Sequence, residues 1–217
     1  RDPRLQMAVI TPYAQYNGAS SGIAHTYTLR WPYRGSDSAE PFDIRTDTND
    51  KFYYLWRKFV PEGLEQTERD TYGLDIPLIR YAEVLLLKAE ALNEWGSTHE
   101  SEAIRCVNEV RRRAGHVELN NATYPATKVN GQSDLRERIR NEYYWEIGGE
   151  DSMYFHELRW GTWKDKKFDN NRNGLMQMWG ETTYTWYWLG DQCWSWPIPA
   201  KEMEMNSNLE QNEGWIN

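Results

Sequence analysis

The sequence predicts a mainly α fold: tetratricopeptide-like helix pairs set among long irregular loops and a few short strands. Three observations predict it. Residues 76–115 carry two successive helical periodicities joined by a short turn, and residues 132–160 repeat that arrangement. The flanks, 1–75 and 162–217, are punctuated by Gly, Ser, Asn, Asp and Pro and hold only short extended runs.

Within 1–75, the runs Ala8–Tyr13, His25–Trp31 and Lys51–Val60 read as short strands between loops. Loops of this length in a compact domain usually serve function, which makes this the ligand-facing region. Residues 76–95, IPLIRYAEVLLLKAEALNEW, predict the first helix, with Pro77 in the first turn, where its missing N–H is not needed. Ile79, Ala82, Leu86, Ala89 and Leu92 fall on one face, and Gly96 ends the helix. Ser97-Thr98-His99-Glu100 reads as a capping box for a second helix, which carries Ala103, Ile104, Val107, Val110 and Ala114 and stops at Gly115. The small residues Ala91 and Ala103 mark where the two helices would touch.

A polar loop, 116–132, leads to a third helix with Leu135, Ile139, Tyr143 and Ile147 on one face, broken at Gly148-Gly149. Met153, Phe155 and Leu158, followed by Trp160, mark a shorter fourth helix. Two such pairs are fewer than helical repeats need for independent stability, so other chain must pack on them. The closing segment, 162–217, turns irregular and then extended over 182–198.

The chain has 217 residues with 12 Trp, 14 Tyr and 5 Phe, 39% hydrophobic residues and a net charge of −8. That acidic balance leaves no basic stripe and argues against nucleic-acid binding. No apolar run approaches the ~20 residues of a membrane span. Cys106 falls in a helical pattern and Cys193 in a strand pattern, and both read as buried free thiols. The chain opens RDPRLQM, without an initiator Met, a signal peptide or a lipid-attachment Cys, and is read as having lost its N-terminus or as a piece of a longer protein.

Few motifs carry catalytic chemistry. Glu142, Glu146 and Glu150 lie beside aromatic residues, as a glycosidase carboxylate pair could, but carboxylates spaced by four on a helix face one way, helix-borne Glu is ordinarily solvated or paired, and Arg136, Arg138 and Arg140 are at hand. Asp169, Asn171, Asn173 and Gly174 match the opening offsets of a calcium loop, yet its twelfth position is Gly180, with Glu181 one residue late. An Asn-rich turn explains the same residues. No cofactor is expected. The four His show no metal-ligand spacing.

Rings interleaved with amides and cations suit sugars, whose apolar faces stack and whose hydroxyls hydrogen-bond. Tyr16, Asn17, Tyr27, Arg30, Trp31 and Tyr33 offer this pattern near the start of the chain. A second aromatic run, YTWYWLGDQCWSWPIP (184–199), turns at Gly190–Asp191 and holds Trp186 and Trp188 before the turn and Trp194 and Trp196 after it.

RDPRL (1–5), RYAEVLLLKAEALNEWG (80–96), AIRCVNEVRRRAG (103–115), NEYYWEI (141–147), FHELRWG (155–161), WPIP (196–199) and NSNLEQNEGW (206–215) together resemble the C-terminal half of SusD/RagB-like proteins. The resemblance runs in order along nearly the whole chain. It implies a SusD-like fold in a surface lipoprotein of the Bacteroidetes outer membrane, about half of whose length this chain represents. It further implies non-catalytic binding of glycans, or in some members peptides, and partnership with a SusC-like TonB-dependent transporter. Contact with the membrane would come only through a lipid anchor outside this chain.

The chain departs from that pattern at Glu142-Tyr143-Tyr144, where an E-R-R stretch is usual, at Glu150-Asp151-Ser152-Met153, where E-G-x-R is usual, and at His156. These departures imply aromatic packing in place of a buried charge network. The resemblance also assigns Trp194 and Trp196 to structural packing before the Pro-Ile-Pro segment. Ligand contacts do not transfer by motif, so Tyr16, Asn17, Tyr27, Arg30, Trp31, Tyr33, Trp186 and Trp188 stand as candidates on residue chemistry alone. Two other readings stay open on sequence grounds: a helical scaffold that binds only protein, and a glycosidase.

Overall fold

The protein is described by a computed structural model covering residues 2–11, 13–20, 23–29, 43–44, 55–63, 75–150, 152–167 and 188–215. It divides into two units, Arg1–His156 and Glu157–Asn217.

The first unit opens with a short helix, α1 (Arg4–Ala8), that runs into strand β1 (Val9–Ile10). Strands β2 (Gln15–Ser20) and β3 (Ile23–Leu29) pair antiparallel, with Tyr16 opposite Tyr27 and Asn17 opposite Thr26. Strand β4 (Asp43–Ile44) adds to β3 in parallel, and β5 (Leu55–Trp56) pairs antiparallel with β1. The runs expected at Ala8–Tyr13, His25–Trp31 and Lys51–Val60 contain or overlap β1, β3 and β5, whereas β2 and β4 fall outside them and the β2–β3 hairpin is not expected from them.

Helix α2 covers Tyr81–Trp95 rather than 76–95. Pro77 lies before it, not in its first turn, and Ile79 is 75% exposed rather than part of the core face. Arg80 caps the helix in an extended conformation (φ −112°, ψ 146°), which breaks the helical run. The face that packs comprises Leu85, Leu86, Ala89 and Leu92. Ser97–His99 form a 3-10 turn and α3 covers Glu100–Arg113 with no side-chain cap bond, so the expected capping box does not form. Trp95 instead stacks on His99 with ring centroids 4.3 Å apart. Ala103 is fully buried as expected, whereas Ala91 is exposed and Ala89 takes the contact position.

The end of α3 is a Schellman motif. Gly115 adopts φ +70°, its N–H donates to Arg112 O at 3.1 Å, and His116 N–H donates to Arg111 O at 2.8 Å. The following loop is ordered by asparagines. Asn108 on α3 accepts from Leu119 N at 2.7 Å and donates to Leu119 O at 3.2 Å, and Asn120 Oδ1 accepts from Val129 N at 2.8 Å. Leu119 and Val129 are thereby held in the core.

Helix α4 (Gln132–Ile147) buries the face read from the sequence: Leu135, Ile139, Tyr143 and Ile147 are each at most 1% exposed. It packs mainly on α2 and also on α3. Helix α5 (Ser152–Arg159) follows. Met153 and His156 are its buried residues in the first unit, while Phe155 is 66% exposed, contrary to expectation.

In the second unit, α6 (Trp163–Lys167) is followed, among the described residues, by a 3-10 turn at Asp191–Trp194 and by α7 (Ala200–Met205). Cys193 therefore sits in a helical turn, not a strand. Cys193 is half-buried and Cys106 buried, and both are free thiols. The tail clasps the Trp-Pro-Ile-Pro segment. Gln211 uses both ends of its amide on Ile198, accepting from its N–H at 2.8 Å and donating to its carbonyl at 2.9 Å. Asn212 Nδ2 donates to Trp196 O at 2.6 Å, and Trp215 Nε1 donates to Ser195 O at 2.8 Å.

Candidate ligand-binding site

The β2–β3 hairpin carries the first candidate cluster. Tyr16 is 5% exposed and its hydroxyl donates to Pro61 O at 2.7 Å. That residue is a fixed ring beneath the hairpin rather than a ligand-facing one, a correction the period-2 alternation explains, since Asn17 next to it faces out. Asn17 Oδ1 accepts from Thr26 Oγ1 at 3.3 Å, and its N–H donates to Glu62 Oε2 at 3.2 Å. Glu62 also pairs with Arg57, whose guanidinium holds the carboxyl below the usual range. The segment 57–62 thus buttresses β2 from behind. Tyr27 lies opposite Tyr16 in the register. Arg30, Trp31, Tyr33 and Trp186, and the calcium candidates Asp169, Asn171 and Asn173, lie outside the described residues. Among the described residues no group of three His, Cys, Asp or Glu could hold a metal ion.

Trp188 sits in a cluster of three indoles. Its ring lies 4.9 Å from that of Trp194 and 5.8 Å from that of Trp163, and Trp163 lies 6.4 Å from Trp194, all tilted or edge-on. Lys164 Nζ lies 5.2 Å from the Trp188 ring centroid, and Trp188 Nε1 donates to Asp191 Oδ1 at 3.4 Å. Trp194 is 43% exposed and Trp196 82% exposed. The structural role expected for these two rings therefore holds for Trp194 only through its contacts with the other two indoles. For Trp196, among the described residues, it is the backbone rather than the ring that is engaged.

The helix-borne carboxylates are not solvated, and Arg136 and Arg138 pair elsewhere. Arg136 pairs with Glu94 and Arg138 with Asp134. Glu142 and Glu146 are 0% and 4% exposed and meet cations from distant segments. Arg4 reaches Glu142 at 2.7 Å, Glu146 at 3.0 Å and Asp2 at 2.6 Å. Arg80 reaches Glu146 at 2.8 Å and Glu150 at 2.7 Å, Arg113 pairs with Glu146, and Arg111 lies 3.6 Å from Glu142. Lys58 pairs with Glu150 and donates to the Glu146 and Gly148 carbonyls at 2.9 and 3.2 Å, where a cation also suits the C-terminal dipole of α4.

Burial raises the Glu142 carboxyl, and the arginines only partly oppose it. At Glu146 burial also pushes up, but bonds from Arg80 and Arg4 prevail and hold it below the ordinary value. The departures at residues 142–144 thus do not replace a charge network with aromatic packing. Both are present: Tyr143 is fully buried and its ring lies 4.4 Å from that of His156, which bonds Glu83 at 2.9 Å. Spacing along one helix could not reveal this network, because its cations come from positions 4, 58, 80, 111 and 113. The segments RDPRL, RYAEV and VRRRAG, which hold four of those five cations, were the available signal.

These features define a tetratricopeptide-like helical scaffold whose buried charge cluster ties the start of the chain, Lys58 and Arg80 to α4. The chain belongs to the SusD family, whose signature matches residues 1–215. A SusD-like protein of Formosa agariphila is 32% identical over 139 residues, covering 64% of this chain and 24% of the relative. The starch-binding protein SusD of Bacteroides thetaiotaomicron is 28% identical over 161 residues, covering 74% of this chain and 25% of the relative. The chain thus spans about a quarter of the length of these relatives. A crystal structure of a SusD-like protein from Bacteroides fragilis matches 99% of this chain and 39% of its own at TM-score 0.60 and 21% identity. A SusD superfamily structure from Bacteroides vulgatus gives 0.59 at 22% identity, covering 99% and 40%. These likenesses establish the SusD-like fold.

Proposed function

We propose that this protein is a non-catalytic, cell-surface glycan-binding protein that delivers oligosaccharide to a SusC-like TonB-dependent transporter in the outer membrane. The observation that carries this reading is the family match across residues 1–215, joined to a related protein that is itself named starch-binding. The site chemistry agrees. Glu142, Glu146 and Glu150 are all engaged by Arg or Lys side chains, which suits a scaffold rather than an acid–base pair facing a cleft. The indoles of Trp194 and Trp196 present ring area to solvent, as sugar stacking requires. Attachment to the membrane would be through a lipid anchor on the longer polypeptide.

The test is a glycan array followed by calorimetry on the full-length protein, with co-purification of a transporter from the native membrane. Micromolar to millimolar binding of at least one oligosaccharide, without turnover, is the expected result. Failure of every glycan to bind would sink the reading, and release of shorter sugars would replace it with a hydrolase.

A further inference from the structure

We infer that Trp196, with Trp194 two residues before it, forms a stacking platform for a neutral oligosaccharide on the second unit; this rests on the glycan-binding reading above and names its site and ligand class. The first support is exposure combined with rigidity. Trp196 is 82% exposed, yet the chain that carries it is held on both sides. The carbonyls of Ser195, Trp196 and Ile198 each accept a side-chain bond, from Trp215, Asn212 and Gln211 respectively, at 2.8, 2.6 and 2.9 Å. Pro197 and Pro199 restrict the same stretch further. Trp194 is positioned by its ring contacts with Trp188 and Trp163. A ring on a fixed backbone loses little conformational freedom when a ligand settles on it, so more of the contact energy appears as affinity. An indole also offers a flat π face to sugar C–H groups and an N–H for a hydroxyl.

The second support is charge. Residues 188–215 hold Asp191, Glu202, Glu204, Glu210 and Glu213 against Lys201, and Lys164, the cation beside the Trp188 ring, is paired with Asp191 at 3.4 Å. A sulfated or uronate-bearing glycan would be repelled from this surface, whereas a neutral one meets no such barrier. Affinity would then come from stacking and hydrogen bonds and be insensitive to salt.

The experiment is calorimetry on the full-length protein with maltoheptaose, cellohexaose, laminarihexaose, xylohexaose and mannohexaose as neutral probes, and oligoalginate and a heparin oligosaccharide as anionic ones. At least one neutral probe is expected to bind, with affinity steady from about 0.05 to about 0.5 M salt. Trp196→Ala is expected to weaken that binding at least about tenfold with the thermal midpoint unchanged, while Trp95→Ala, a matched exposed indole on α2, leaves it intact. Binding to wild type that survives Trp196→Ala and Trp194→Ala overturns this site but not the functional reading. Binding by anionic probes alone, or a thermal midpoint that falls by several degrees in Trp196→Ala, also overturns it, the latter by showing that the ring packs within the intact protein. Absence of any glycan binding to wild type overturns the functional reading itself.

Discussion

Arg4 Nη1 donates to Glu146 Oε2 at 3.0 Å although the two residues lie 142 positions apart in the chain. The same guanidinium spans Asp2 and Glu142, so one buried side chain ties the start of the chain to the C-terminal half of α4. Its charged form is strongly favoured: burial opposes it, but the bonds to Asp2, Glu142 and Glu146 outweigh burial. Arg4→Ala leaves two nearly inaccessible carboxylates short of a partner, and loss of one member of a buried ion cluster costs about 3–5 kcal/mol. Urea denaturation should show this as a lowered midpoint. Arg4→Lys should recover only part of it, because an ammonium cannot present the planar fork that meets three carboxylates.

The same cluster sets an acid limit. Glu146 and Asp2 are held below the ordinary carboxylate range, so each adds stability that is fully present above its unfolded pKa and is lost as pH falls through its folded value. An unstructured glutamate titrates at about 4.3. Glu142 runs the opposite way, because burial raises it and its protonated form is the easier one to keep inside. Glu146→Gln should therefore destabilise the protein at neutral pH, with the deficit shrinking once the pH drops below about 4. Urea midpoints of both proteins across about pH 7 to about pH 3 check this, and a deficit that stays constant would contradict it.

Asn108 holds the loop after α3 through both atoms of its amide, accepting from Leu119 N–H and donating to Leu119 O. Asn108→Ala leaves a buried donor and acceptor unmade at Leu119, a loss of about 1–3 kcal/mol. Amide exchange at Leu119 should accelerate by more than the global change in stability accounts for. Asn108→Asp should keep the bond to the N–H and lose the one to the carbonyl.

How much of this was legible in the sequence depends on the range of the interaction. The core face of α4 follows from spacing alone, because Leu135, Ile139, Tyr143 and Ile147 recur at helical intervals and tertiary packing agrees with them. The start of α2 does not follow from spacing, because Ile76, Leu78 and Ile79 continue an apolar pattern across Pro77. Residue 76 is disfavoured from the α region by that proline, and Arg80 is extended while its side chain reaches Glu146 and Glu150. The capping box fails for a related reason: Ser97–His99 close a 3-10 turn before α3 begins, and His99 stacks on Trp95. At the candidate site, ring chemistry singles out Trp188 but not the exposure of Trp196. The tail residues Gln211, Asn212 and Trp215 engage that segment's backbone from outside any local pattern.

Gly149 adopts φ +82°, and a Cβ there would meet Trp56 Cζ3 at 2.8 Å. Two costs coincide at this position. The left-handed backbone is unfavourable for an L side chain by roughly 1–2 kcal/mol, and the indole on β5 must also move. Gly149→Ala should therefore lower the thermal midpoint and displace the indole N–H resonance of Trp56. Gly131 has φ +85° but, beyond its chain neighbours, no atom of the described residues within 4 Å of the place a Cβ would take, so Gly131→Ala should carry the backbone cost alone and leave that resonance in place.

Gln211 makes the last prediction, because its amide substitutes for a neighbouring strand. It accepts from Ile198 N–H at 2.8 Å and donates to Ile198 O at 2.9 Å, the two bonds a β partner would supply. Ile198 lies between Pro197 and Pro199, neither of which has an N–H, so it carries the segment's one amide donor between Trp196 and Ala200. In Gln211→Ala that donor turns to solvent, and the net loss of two partly exposed bonds is about 1–3 kcal/mol, confined to the second unit. Hydrogen exchange at Ile198 should rise while exchange at Leu135 and Ile139, deep in the first unit, does not change. If Trp196 stacks on sugar, the same variant should weaken neutral glycan binding although Gln211 touches no ligand, and most of the loss should fall in the dissociation rate. Gln211→Glu separates the two bonds, since a carboxylate still accepts from Ile198 N–H but cannot donate to its carbonyl. Its exchange rate at Ile198 should fall between those of wild type and Gln211→Ala.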